Sequence, residues 1–172
     1  MVDEIDSSRE FRVLVTGGRG YSDREAVFAR LATCRHEAAR SGLKLIVIHG
    51  YCPTGADHWA ALWCRREGID ERRYPAQWSL HGRSAGPRRN QRMLDEEQPN
   101  LVLAFPGSRG TADLIRRARS AGVLVVPLDS DERPPLSRAL QRVLETEMIM
   151  DQVPSTTCDD EEGVTDSCDL GR

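Results

Sequence analysis

The 172-residue chain lacks any run of 18 or more apolar residues, which excludes a membrane-spanning helix. Its five cysteines (Cys34, Cys52, Cys64, Cys158, Cys168) are an odd number and form no CxxC pair. No Cys/His set has zinc-finger spacing, so neither a disulfide scaffold nor a metal site is expected. Cys34 and Cys64 instead fall in helical apolar patterns, where free buried thiols are usual. GxxxxGK[ST] is absent, which argues against P-loop nucleotide hydrolysis, and Gly18-Arg19-Gly20 is only a fragment of GxGxxG. Hydride transfer with a dinucleotide therefore has little support, and no cofactor is implied. Met1–Glu10 is polar and acidic, with neither the basic start nor the apolar stretch of a signal peptide, so a cytoplasmic protein is expected.

Charge divides the chain. The net charge is -3, yet residues 151–172 hold seven acidic side chains and only one basic one, Arg172. The remaining 150 residues are therefore mildly basic. With Ser, Thr and Gly interspersed and no periodic apolar pattern, the acidic segment cannot bury enough surface to order itself. Three units are expected: a flexible N-terminus over 1–10, one domain over 11–150, and a disordered acidic tail over 151–172.

Within the domain, short apolar runs alternate with amphipathic stretches. Phe11–Thr16, Leu43–Ile48, Ile69–Tyr74, Leu101–Phe105 and Val123–Pro127 read as strands, the third more polar and nearer a sheet edge. Helices are expected from Ser22, offered as the N-cap, to Gly42; over Ala56–Glu67; near Arg88–Glu96; over Thr111–Ala121; and over Leu136–Met148. Runs such as Leu45-Ile-Val-Ile48 lack polar alternation, as strands covered on both faces should. The expected fold is α/β, Rossmann-like and three-layered, with a mostly parallel five-stranded sheet.

Ligands of such sheets bind beyond the carboxyl ends of the strands. Three glycine-rich turns fall there: Thr16–Tyr21, His49–Asp57 and Pro106–Asp113. Glycine lets backbone approach a phosphate, and N–H groups at the following helix start point at it. Arg19 and Arg109 add charge with forked donors, and Thr54 and Thr111 either cap a helix or bond a phosphate oxygen. A fourth segment, His81–Met93, carries four arginines, of which Arg89, together with Asn90, is read as a ligand residue. His49 either bonds a ligand or orients its loop. Trp59 and Trp63, four apart, are expected on the core or a partner helix, whereas Trp78 and Tyr21 lie on the ligand side, where one of them stacks on a base.

Val15-Thr-Gly-Gly-Arg19 with Tyr21 and Asp23, then His49-Gly50…Gly55-Ala-Asp57, Gly86-Pro87…Arg89-Asn90…Met93 and Phe105–Asp113, resemble the YspA/YpsA-related branch of the SLOG superfamily. The resemblance covers roughly residues 11 to 130. It implies a Rossmann-like fold that binds nucleotides or nucleotide-derived ligands at its glycine loops. The LOG phosphoribohydrolases of that superfamily cleave nucleoside monophosphates with a PGGxGTxxE motif and an arginine from an RKxxM segment. Here the arginine matches Arg89, but the glutamate position falls on Leu114, which cannot move a proton.

The expected partner is thus a nucleotide-derived small molecule, sensed or sequestered. The ligand set is Gly17, Gly18, Arg19, Tyr21, His49, Gly50, Thr54, Gly55, Asp57, Arg89, Asn90, Pro106, Gly107, Ser108, Arg109, Gly110, Thr111 and Asp113. Phosphate is assigned to the first and third loops, and ribose to Asp57 or Asp113. The alternative is N-glycosidic cleavage, with Arg89 and Asp113 as the catalytic pair. A weaker one is single-stranded DNA binding through Arg83, Arg88, Arg89, Arg116, Arg117 and Arg119, against which the modest body charge and acidic tail both argue. A homo-oligomer is compatible with the resemblance.

Overall fold

The computed structural model describes residues 9–128 and 136–150. Five strands, β1 (Glu10–Thr16), β2 (Lys44–His49), β3 (Asp70–Arg73), β4 (Leu101–Ala104) and β5 (Leu124–Pro127), form one sheet. Its order is β3-β2-β1-β4-β5, and all four pairings are parallel. The helices are α1 (Arg24–Arg40), α2 (Ala56–Glu67), α3 (Trp78–His81), α4 (Ala85–Glu97), α5 (Arg109–Ser120) and α6 (Leu136–Met150), with a 3₁₀ turn at Gly82–Ser84.

The two-residue period of a strand explains the unbroken apolar runs. Phe11, Val13 and Val15 enter one core with Val27 and Leu31 of α1, Trp63 of α2 and Leu140 of α6. Leu14 points the other way, to Met93 and Leu94 of α4 and Leu114 of α5. Leu101 and Leu103 divide from Val102 and Ala104 in the same manner. Each such buried Leu or Phe contributes about 1.5–3 kcal/mol relative to exposure, so both helical layers are held without polar pairing. Cys34 and Cys64 are free and buried in the first core, where burial pushes each thiol up to about 12; Arg30 opposes this only weakly at Cys34.

Several boundaries differ from the sequence expectation. Glu10 pairs with Lys44 inside β1 rather than belonging to an N-terminal segment. Asp23, not Ser22, caps α1: its carboxylate accepts the Ala26 N–H at 2.9 Å, while Glu25 pairs with Arg24. The stretch before Arg88 is not a loop, since α3 and the 3₁₀ turn fill it and α4 already starts at Ala85. Gly42, Gly68 and Gly122 end their helices in left-handed conformations, as glycine allows. The edge position of polar β3 matches the expectation. Expectations for residues 1–8 and 151–172 lie outside the described residues.

Strand order reverses between β1 and β4: the chain leaves the sheet at β3 and returns on the far side of β1. Helices leave β1 and β4 toward opposite faces there, opening a crevice at the carboxyl edge.

Candidate functional site

The crevice holds a cleft of about 670 Å³, within the range of small-molecule sites. Its walls are the turns after β1 and β4. Pairing runs on past the strands, because Phe105 N–H donates to the Thr16 carbonyl at 2.8 Å and Gly18 N–H to that of Pro106 at 2.9 Å. The glycines of these turns touch one another. A side-chain carbon on Gly18 would stand 3.1 Å from the Gly107 Cα, and one on Gly17 would stand 2.6 Å from the Ala56 Cβ. Gly55, at φ 78°, would drive a side chain into the Gly18 carbonyl. Three of the glycines therefore let the loops interlock, a role distinct from contact with a phosphate. Gly20 and Gly110, by contrast, face open space.

The floor comes from α4 and the turn after β2. Arg89 lies against Gly50, donates through Nε to Asn90 Oδ1 at 3.1 Å, and places Nη1 3.9 Å from Asp57 Oδ2. That Nη1 is buried and has no hydrogen-bond partner. A buried unmet cationic donor is costly, so an acceptor such as a water or an anion is expected to meet it. Asp57 itself is buried, and its Oδ2 accepts the Cys52 N–H at 3.4 Å. The α5 N-terminus opens on the same cleft. Ser108, its N-cap, makes no side-chain cap bond, so the first-turn N–H groups are offered to the cleft rather than to a cap.

The cleft brings together Gly17, Gly18, Arg19, Tyr21, Gly50, Asp57, Arg89, Asn90, Pro106, Gly107, Ser108, Gly110 and Thr111 from the expected set. Five others stand elsewhere. Arg109 is exposed, Thr54 is exposed and caps nothing, and Gly55 packs behind Gly18. His49 is fully buried: Nε2 meets Glu71 Oε2 at 2.6 Å, and Nδ1 accepts the Tyr51 N–H at 3.1 Å. It orients the loop beneath the cleft. Burial would raise the Glu71 carboxyl, but hydrogen bonds from Arg73 and His49 outweigh it and hold the group below its ordinary range.

Asp113 is likewise occupied. It receives Arg117 Nε at 2.8 Å, Arg116 at 2.6 Å and Asn90 Nδ2 at 3.2 Å, and does not line the cleft. Burial would raise its carboxyl, and the bonds from Arg117, Asn90 and Arg116 hold it low instead. A carboxyl held low and paired in this way is poorly suited to be the proton donor of the cleavage alternative. Leu114, at the glutamate position of the phosphoribohydrolases, is buried in the second core and does not line the cleft. Arg116 and Arg117 are taken up by the same carboxylate, which removes two cations from the strand-binding set. Asn90 bridges rather than reaches out: its amide donates to the Gly110 carbonyl and Asp113 while accepting from Arg89.

Cys52 and Met93 also line the cleft without having been singled out as site residues. Burial, reinforced by the Asp57 charge and opposed by Arg89, raises the Cys52 thiol, so it is not a poised thiolate. Nothing but proximity to Gly50 in the chain pointed to it. Among the described residues no group of three His, Cys, Asp or Glu side chains has the arrangement to hold a metal ion. No helix among them is long and apolar enough to cross a membrane.

Strand order and cleft together define a Rossmann-like α/β protein with a ligand-sized site at the carboxyl edge of its sheet. The sequence model of the YspA, cpYpsA-related SLOG family matches residues 11–81. "Gene 61 protein" of Mycobacterium phage D29 is 38% identical over 122 residues, which span 67% of this chain and 94% of that protein. The chain belongs to the YspA, cpYpsA-related SLOG family. Among solved structures, the Moco Carrier Protein from Chlamydomonas reinhardtii aligns over 81% of this chain and 86% of its own, with 15% identity and a TM-score of 0.45.

Proposed function

We propose that the protein binds a nucleotide or nucleotide-derived ligand in this cleft and releases it unchanged, as a sensor or sequestering protein does. The observation that carries the reading is Arg89, a guanidinium that lines the cleft and whose Nη1 has no hydrogen-bond partner. An anionic oxygen placed against this guanidinium gains a charge-assisted hydrogen bond. The open first turn of α5 supports the same anion from the opposite wall, and Arg19 adds charge at the lip. Asp57 is the carboxylate nearest this anion position; both of its contacts use Oδ2, which leaves Oδ1 for a ribose hydroxyl. Residues 11–150 supply all of these parts.

The test is a thermal-shift screen against nucleoside mono-, di- and triphosphates, ADP-ribose, NAD and cyclic nucleotides, with chromatography of each mixture. A ligand at 100 times its dissociation constant adds about 2.7 kcal/mol of stability. The expected result is stabilisation by at least one nucleotide, recovered intact, and none in Arg89→Leu. Release of free base would replace this reading with the hydrolase. Absence of any shift would remove it.

A further inference from the structure

We infer that Trp78 is the docking platform for a planar ring of the ligand, and that Arg19 covers this platform until a ligand arrives. The inference rests on the nucleotide-binding reading and narrows it. The site selects molecules that join a ring to an anionic group, and discriminates against sugar phosphates that lack the ring.

Tyr21, Tyr51 and Trp78 are aromatic side chains at the carboxyl edge of the sheet that are not fully buried. Tyr21 packs its ring on Phe105, centroids 5.2 Å apart, and leans on the first core. Tyr51 carries the Arg73 guanidinium 5.0 Å over its ring and does not line the cleft. Trp78 also carries a guanidinium, but it combines two features that neither of the others does. It lines the cleft, yet 49% of it is exposed, and no buried cluster takes it in. A half-exposed indole at the mouth of a cleft is apolar surface that a ligand can cover with gain.

Its neighbours fit that use. Gly86 on α4 meets the ring edge, where an added side-chain carbon would stand 3.4 Å from Cη2. Over the ring lies Arg19, its guanidinium carbon 5.4 Å from the centroid. Arg19 is exposed and forms no ion pair among the described residues. A cation resting on an exposed aromatic face is weakly held, whereas a base stacked on the same face is held more firmly. A ligand ring therefore displaces the guanidinium. Arg19 sits on the turn next to Gly18, so the displaced charge stays at the lip of the cleft, within reach of the ligand's anionic group. One residue thus shields the platform in the free protein and neutralises the ligand in the complex.

The full chain is titrated with AMP, GMP, CMP and UMP and, separately, with ribose 5-phosphate, by calorimetry and by tryptophan fluorescence. At least one nucleotide is expected to bind about tenfold or more tightly than ribose 5-phosphate, the scale of one base–aromatic stack. Trp78→Ala removes that margin, and Trp78→Phe restores most of it. The fluorescence change on nucleotide binding is lost in Trp78→Phe, although Trp59 and Trp63 remain. Equal affinity of the wild type for nucleotides and ribose 5-phosphate, or undiminished nucleotide binding by Trp78→Ala, overturns the inference and leaves the anion site standing. If neither kind of probe binds the wild type, the nucleotide reading falls together with it.

Discussion

The guanidinium of Arg89 occupies the space in which a side chain at Gly50 would stand. The two residues come from different layers, one from α4 and one from the turn after β2. Their contact sets how deep the cationic floor of the cleft lies.

Gly50→Ala should therefore act through Arg89. Its added carbon overlaps Nη1, and the guanidinium must leave the floor. Nucleotide affinity is expected to fall by about tenfold or more, the scale of a lost charge-assisted hydrogen bond. Because both changes remove the same contact, the double variant Gly50→Ala/Arg89→Leu should bind no worse than Arg89→Leu alone. Calorimetric titration of the three variants checks this, and additive losses would refute it.

Leu114→Glu places a carboxylate where the LOG phosphoribohydrolases carry theirs, but here the position is 1% exposed and faces Leu14 and Met93. An unpaired buried charge should destabilise the fold by about 3–5 kcal/mol. Urea unfolding measures the loss. No base release should accompany it, since the side chain points into the core and away from the cleft.

Asp113 gives a pH prediction. Its folded carboxyl titrates below the unfolded one, so its contribution to stability is full above about pH 4 and is lost as pH falls through the folded value. The stability difference between wild type and Asp113→Asn should hold from neutral pH down to about pH 4 and shrink below it. Thermal melts across that range read it directly. Nucleotide affinity at neutral pH should change less than in Arg89→Leu, because Asp113 does not line the cleft.

His49→Ala leaves the Tyr51 N–H without its acceptor and Glu71 without one of its donors. A cost of about 1–3 kcal/mol is expected in denaturant unfolding. Ligand binding measured well below the melting temperature should weaken only in step with disorder of the loop from Gly50 to Cys52. A complete loss of binding by a stably folded His49→Ala would instead make His49 a ligand residue.

Much of the fold was legible because a strand covered on both faces carries an unbroken apolar stretch, as β1 does over Val13–Val15, β2 over Leu45–Ile48 and β4 over Leu101–Ala104. The helix caps were less so. Ser22 and Asp23 are both good caps, and only the position of the first free N–H, at Ala26, decides between them. The four residues of α3 are too few to show a period. In the site, the glycine turns located the cleft, but which arginine enters it depends on helix phase. Arg89 turns in, while Arg88 on the same helix and Arg109 at the start of α5 face out. That Asp113 is taken up within its own helix was written in the chain as well: it precedes Arg116 and Arg117 by three and four residues, the spacing at which helical side chains meet.

The composition of β3 bears on how copies of this protein behave together. An outer strand offers a row of unpaired backbone groups to any other strand it meets. Here that strand is Asp70-Glu71-Arg72-Arg73, four charged residues, three of them exposed, with Lys44 of adjacent β2 and Glu10 of β1 beyond it reaching over to pair with Asp70 and Arg72. Another chain approaching this border would have to strip water from that charged rim before gaining a single backbone bond. The polarity that made β3 the least strand-like segment in the sequence thus guards this end of the sheet against fibrous self-association.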